Sequence, residues 1–145
     1  MTQEDKELLL KYLCMALPYG VVLNIREGFD LKLDMKYQGI GVLYPEDCSD
    51  EFNKRNGNQD YYITISGCYY GEDIKPYLRP MSSMTEEEFE EYGNIIEHIS
   101  IGSLDFNIAN PNVFDWLNAH HFDYRGLIPK GLAIEVTEEN NPYKN

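Results

Sequence analysis

The residues with the most chemistry in the smallest space form one run, His120-His121-Phe122-Asp123-Tyr124-Arg125. Imidazole and carboxylate groups ligate zinc or iron and carry protons, so the run could build a metal or acid–base site of a hydrolase. The spacing works against that use. Successive side chains on a helix point about 100° apart, so His120 and His121 do not converge on one ion without a distorted helix end. The sequence has one further histidine, His98. A simpler use is a helix end, where imidazoles meet the last carbonyls and the negative end of the dipole. No metal and no cofactor are expected on this reading.

Two other groups of residues could act. Cys68, within Ser66-Gly67-Cys68-Tyr69-Tyr70, could be a nucleophile if folding brought a histidine to it. No known signature surrounds it, and a plain thiol is the expectation. Arg79, Ser82 and Ser83 precede a helix predicted from residue 86, where free backbone N–H groups favour an anion. With Arg125 they could hold a phosphate or a partner's carboxylate. Against this, Glu86, Glu87 and Glu88 already occupy the positive end of that helix. The alternative has Ser and Thr capping while Arg79 stacks or pairs with a glutamate. The sequence contains no Gly-x-x-x-x-Gly-Lys-Ser/Thr, Gly-x-Gly-x-x-Gly or Gly-x-Ser-x-Gly motif. Asp47 and Asp50 lie in an acidic stretch without EF-hand order, so calcium is not expected there.

Composition narrows the classes. The chain has 145 residues, 43% of them apolar, and 12 Lys and Arg against 25 Asp and Glu, a net charge of −13. One domain is expected, burying about 70% of its unfolded surface without disulfide or metal staples. No apolar run approaches the ~20 residues of a membrane span. The acidic, polar start argues against a secretory signal, and three cysteines without CxxC spacing read as reduced thiols, so the expected location is the cytoplasm. Cys14 is expected in the core. The charge repels phosphate backbones, so direct nucleic-acid binding is not expected. The acid is uneven: residues 1–82 carry 13 acids and 9 bases, residues 83–145 carry 12 and 3. The second half is therefore the more anionic surface. Twelve tyrosines suit either an interface or ordinary strand packing.

The elements that must position these residues follow from periodicity. Thr2 and Asp5 start a helix over 3–17, with Leu9, Tyr12, Leu13 and Ala16 as its stripe and Pro18 as its stop. Val21–Arg26 reads as a strand and Glu27-Gly28 as a turn. Phe29–Lys36 alternates strictly, and Gln38-Gly39 turns into Ile40–Tyr44, so three strands form a meander. Residues 45–60 read as a long exposed loop in which Asn56-Gly57 could be a hairpin tip. Tyr61–Ser66 is a fourth strand, and Gly67 to Gly71 leads to a fifth. Ile74–Met84 is an extended connection. Thr85 caps a helix from 86 to about 97 with Phe89, Tyr92, Ile95 and Ile96 on one side. Asn110-Pro111 opens a second helix, Tyr124-Arg125-Gly126 turns the chain, and Ala133, Ile134 and Val136 read as a short last strand or an extended tail segment. The fold class is α+β: an amino-terminal helix, a small antiparallel sheet or SH3-like barrel of four or five strands, then two carboxy-terminal helices. Residues 1–80 and 81–137 read as sub-lobes of one domain, with 138–145 as a frayed tail.

Three segments carry a resemblance: Leu17-Pro-Tyr-Gly-Val21, Lys75-Pro-Tyr-Leu-Arg-Pro-Met-Ser-Ser-Met-Thr-Glu-Glu-Glu88, and the stretch from Asp115-Trp-Leu-Asn-Ala-His-His through Ala133-Ile-Glu135. The chain is similar in this wording, over most of its length, to a group of small uncharacterised proteins of gut Bacteroides-type bacteria and their phages or prophages. The resemblance implies a cytoplasmic accessory protein and no activity. The residues that share the group's wording are Arg79, His121, Asp123, Tyr124 and Arg125. They and Ser83 are the candidate ligand- or partner-binding residues, and a buried polar network is an equal reading of them. The expected function is a non-enzymatic acidic binder of another protein, as in a phage-encoded modulator of a host or defence protein. The alternatives are a binder of a small phosphate-bearing ligand and, last, a metal-assisted hydrolase. Self-association is left open.

Overall fold

Thr2 Oγ1 accepts the Asp5 amide at 3.1 Å and Asp5 Oδ2 accepts the Thr2 amide at 3.3 Å. Two orphan donors are satisfied at once, which starts α1 (Gln3–Ala16). Leu9, Tyr12, Leu13 and Ala16 are buried on its inner face. Pro18 lies in a 3-10 turn, Leu17–Tyr19, that carries the chain off the helix. Gly20 then takes φ 68, the left-handed region that favours glycine, and a Cβ there would lie 2.9 Å from Lys32 Cε. Cys14 is exposed, not in the core, because it sits one step off the Leu9–Leu13–Ala16 stripe.

This computed structural model describes residues 2–26, 29–33, 40–65, 69–70, 74–102, 104–108 and 111–144. After α1 the chain runs through β1 (Val22–Arg26), β2 (Phe29–Lys32), β3 (Ile40–Leu43), α2 (Asp50–Arg55), β4 (Tyr62–Ile65), β5 (Tyr69–Tyr70) and β6 (Lys75–Leu78). It continues with α3 (Glu86–Ile95), β7 (Glu97–Ile101), β8 (Leu104–Ile108), α4 (Pro111–Ala119) and β9 (Ile134–Glu135). The result is a mixed α+β fold. One sheet has the order β2-β1-β6-β9, a second the order β3-β4-β5, and β7-β8 is a separate hairpin. These sheets do not close, so the SH3-like barrel is corrected to small open sheets. The expected meander is corrected too. Across β1, the edge away from β2 is taken by β6, while β3 pairs with β4. The turns at Glu27-Gly28, Gln38-Gly39 and Gly67, Cys68, and the end of the alternating run at 34–36, lie outside the described residues.

The polar stretch 45–60 is not one long loop. Pro45–Asp47 forms a 3-10 turn, and Ser49 Oγ accepts the Phe52 amide at 3.1 Å to cap α2. Phe52 anchors that helix edge-on against Tyr62, with ring centroids 5.1 Å apart. Asn56-Gly57 ends the helix and is no hairpin tip. The extended connection at 74–84 contains β6, which lies between two strands despite Pro76. It pairs with β1 at Lys75 and Pro76 and with β9 at Tyr77 and Leu78, so the missing donor falls where one partnership gives way to the other. The β7-β8 hairpin, between α3 and α4, had no counterpart in the sequence reading.

The core falls into two clusters. The larger joins α1, β1, β4 and β6 with Leu127 and Leu132. The smaller gathers Val113, Leu117 and Phe122, with Met81, Tyr92, Ile95 and Trp116 around them. The segment after α4 links the two. Arg79 and Phe122 form an isolated parallel bridge, in which Arg79 N donates to His121 O and Asp123 N to Arg79 O, each at 2.8 Å. The tail beyond Glu138 carries one long-range anchor. Tyr143 Oη donates to Tyr77 O at 2.7 Å and accepts the Val22 amide at 3.0 Å, which straps the tail across β1 and β6.

Candidate functional site

The cap that starts α3 also orders its charge. Thr85 Oγ1 accepts the Glu88 amide, and Glu88 Oε1 accepts the Thr85 amide at 3.0 Å. This turns Glu88 inward toward β6. There Arg79 Nη1 and Nη2 donate to its two oxygens at 2.7 and 2.6 Å, a bidentate pair. Arg79 Nη2 also donates to Ser83 O at 3.3 Å, and its guanidinium lies 4.2 Å from the centroid of the Phe122 ring. His120 Nδ1 stands 3.2 Å from Glu88 Oε2, and its ring lies tilted against Trp116 with centroids 4.3 Å apart. The Arg79 contact, with help from the Thr85 amide, holds the Glu88 carboxyl down to about 2. Arg79 thus both stacks and pairs with a glutamate.

The other candidates serve local geometry. Ser83 Oγ donates to Pro80 O at 2.7 Å. The Asp123 carboxylate, 9% exposed, accepts the Leu127 and Ile128 amides at 2.8 and 2.9 Å. It caps the turn that brings Leu127 into the larger core. Tyr124 Oη donates to Asn118 Oδ1 at 3.0 Å. Arg125 Nη2 lies 2.8 Å from Met15 Sδ, tying the segment to α1. His121 takes φ 61 and stacks flat on Tyr143 at 3.7 Å. Burial, then the charges of His120, Arg79 and Lys32, pushes its imidazole down to about 4. The structure therefore joins Arg79, Ser83, His121 and Asp123 around one bridge, while Tyr124 and Arg125 reach elsewhere. Glu88, Trp116 and Tyr143 complete this network and were not among the candidates. Only Glu88 left a trace in sequence, as the closing N3 residue of a capping box.

The outer side of α3 is different. Its inward face is Glu88, Tyr92 and Ile95, at helical spacing. Phe89, expected on the buried side, is 68% exposed. It borders an open depression of about 370 Å³ lined by Met84, Thr85, Glu86 and Glu90. Gly93 lies one turn on from Phe89. Among the described residues no atom comes within 4 Å of where its Cβ would be. Glycine inside a helix costs about 0.5–1 kcal/mol relative to alanine. Gly93→Ala is accordingly expected to raise stability by about 0.5–1 kcal/mol, read by urea unfolding. A loss of stability would mean that something packs into that notch.

A second hollow of about 270 Å³ is lined by Asp30, Tyr77, Glu139, Asn140, Asn141 and Pro142. Its two carboxylates suit a phosphate poorly. Neither hollow is lined by Arg79 or Arg125. Among the described residues, no group of three or more His, Cys, Asp and Glu side chains is arranged to hold a metal, and no helix is long and apolar enough to cross a membrane. Comparison with known proteins finds no matching family model, curated protein or solved structure.

Proposed function

We propose that this chain is a non-enzymatic protein-binding module that docks through the outer face of α3. Phe89 carries the reading. A phenylalanine ring gains about 1.5–3 kcal/mol when it leaves water, and this one stays 68% exposed beside a depression. The residues first suspected of chemistry support the reading from the other side. Arg79, Glu88 and His120 saturate one another, and Asp123 is spent on backbone amides, so they hold α3 in place and present it. The function is then that of an accessory protein of the kind the resemblance implies, a modulator of a host or defence protein.

The test is affinity capture by the tagged chain from extract of its native cell, with Phe89→Ser run beside it after a thermal melt confirms that the variant folds. One protein enriched stoichiometrically by the parent and lost by Phe89→Ser is the expected result. A partner held equally by both, or no enriched partner, overturns the reading.

A further inference from the structure

Resting on that docking face, we infer that the partner's contact is a cationic amphipathic segment: an apolar residue that covers Phe89, flanked by Lys or Arg that meet Glu86 and Glu90. α3 carries Glu86, Glu87, Glu88, Glu90 and Glu91 and no base. Glu88 faces inward to Arg79, whose two guanidinium nitrogens it occupies. Of the four exposed glutamates, Glu91 accepts the Trp116 indole N–H at 3.1 Å, while Glu86 and Glu90 stack as a like-charge pair one turn apart on the outer face. The pair repels itself, Gly93 inside the helix lowers its stability, and the Phe89 ring stays in water. The Glu86–Glu90 pair, the exposed Phe89 ring and Gly93 share one helix face, and their compensation comes from outside the chain.

The chemistry of that compensation follows from charge and shape. Glu86 and Glu90, i and i+4 on the helix and about 5–6 Å apart, line the depression beside Phe89, a spacing matched by basic residues on successive turns of a partner helix. The depression with Met84 opens beside the ring, and the surface at Gly93, one turn on, is open, so an apolar side chain can lie against it. A second copy of this chain is a poor occupant. It brings the same acidic face and another net charge of −13. Phosphate backbones and anionic membranes are repelled for the same reason. Carboxylates steer a basic segment in and reject acidic ones, while the ring supplies the hold once water is expelled.

The probe is a fluorescein-labelled amphipathic helical peptide of Lys and Leu, followed by anisotropy against the full chain. A Lys/Ser peptide and a Glu/Leu peptide run as controls. The Lys/Leu peptide is expected to bind, the Lys/Ser peptide about tenfold more weakly, and the Glu/Leu peptide not at all. Glu86→Gln/Glu90→Gln weakens binding by about three- to tenfold at about 0.05 M NaCl, and the difference closes at about 0.5 M. Removing the same charge elsewhere, with Glu138→Gln/Glu139→Gln, leaves affinity within about twofold. Failure of the Lys/Leu peptide to bind, or equal loss from the two double variants, overturns the inference. The captured partner separates the two levels. Phe89-dependent capture that ignores salt and Glu86→Gln/Glu90→Gln keeps the docking face and rejects the cationic segment. Capture that ignores Phe89 removes the docking face itself.

Discussion

Glu88→Ala is expected to lower stability by about 2–3 kcal/mol, whereas Glu86→Ala, two residues earlier on the same helix, stays within about 0.5 kcal/mol. The difference lies in what each carboxylate touches. Glu86 is exposed. Glu88 is 14% exposed at its side chain and closes three interactions at once. It completes the capping box on Thr85, accepts both arms of Arg79 and stands beside His120. Removing it strands the Arg79 charge over Phe122 with only Ser83 O among its described side-chain acceptors. Breaking a fully buried pair costs about 3–5 kcal/mol, and partial exposure of both partners brings the figure down. Arg79→Ala combined with Glu88→Ala should cost less than the sum of the two, by about 1–2 kcal/mol. Urea melts of the four proteins measure this coupling. Additive losses would show that the bidentate geometry contributes nothing beyond packing.

The same contact sets an acid response with a definite sign. Glu88 titrates near 2 when folded and near its ordinary 4.5 when unfolded. As pH falls below 4.5 the unfolded chain takes up the proton first, so the stability the pair contributes at neutral pH is lost between 4.5 and about 2. Glu88→Gln should flatten that limb of the stability curve. It should leave unchanged any loss that begins at higher pH, which has a different source.

What could be read in advance was whatever a local rule decides. Thr2 and Thr85 started helices because a capping box lies within four residues and obeys hydrogen-bond geometry alone. Val21–Arg26 and Tyr61–Ser66 read as strands by composition, and strands run over Val22–Arg26 and Tyr62–Ile65. What could not be read was partnership. Nothing near Val22 says that β1 turns its second edge to Lys75 rather than continuing a meander toward Ile40. That choice is made by cores assembled from α1, β6 and Leu127, far apart in the chain. Local rules also misplaced Phe89. Grouping it with Tyr92 and Ile95 assumes that the inward face is apolar, and the true inward face includes a carboxylate because Arg79 waits beneath it. Of the candidate site, Arg79 was identified together with its correct partner class, a glutamate. The Tyr143 anchor was illegible for the opposite reason. The tail's polar composition describes most of residues 137–144 well and misses the single ring that anchors them.

Tyr143→Ala is expected to release that anchor, at a cost of about 3 kcal/mol, and Tyr143→Phe to cost about 1–2 kcal/mol. The phenylalanine keeps the stack on His121 but leaves the Val22 amide and the Tyr77 carbonyl without the hydroxyl that serves both. The alanine also removes the cover from His121. Because burial is the main cause that lowers His121 to about 4, uncovering it should return its titration toward 6.5. The sign is fixed by which state binds the proton. In the parent protein the unfolded chain protonates His121 below 6.5 while the folded chain does so only near 4, so stability falls as pH drops through that window. In Tyr143→Ala this slope should shrink, even though the protein is less stable throughout. Proton NMR of the His121 ring and urea melts at about pH 7 and pH 5 read the two effects separately. A His121 that still titrates near 4 in the alanine variant would show that the burial comes from the β6 bridge and not from the tail. The strap would then be a stabilising contact with no hand in the chain's response to acid.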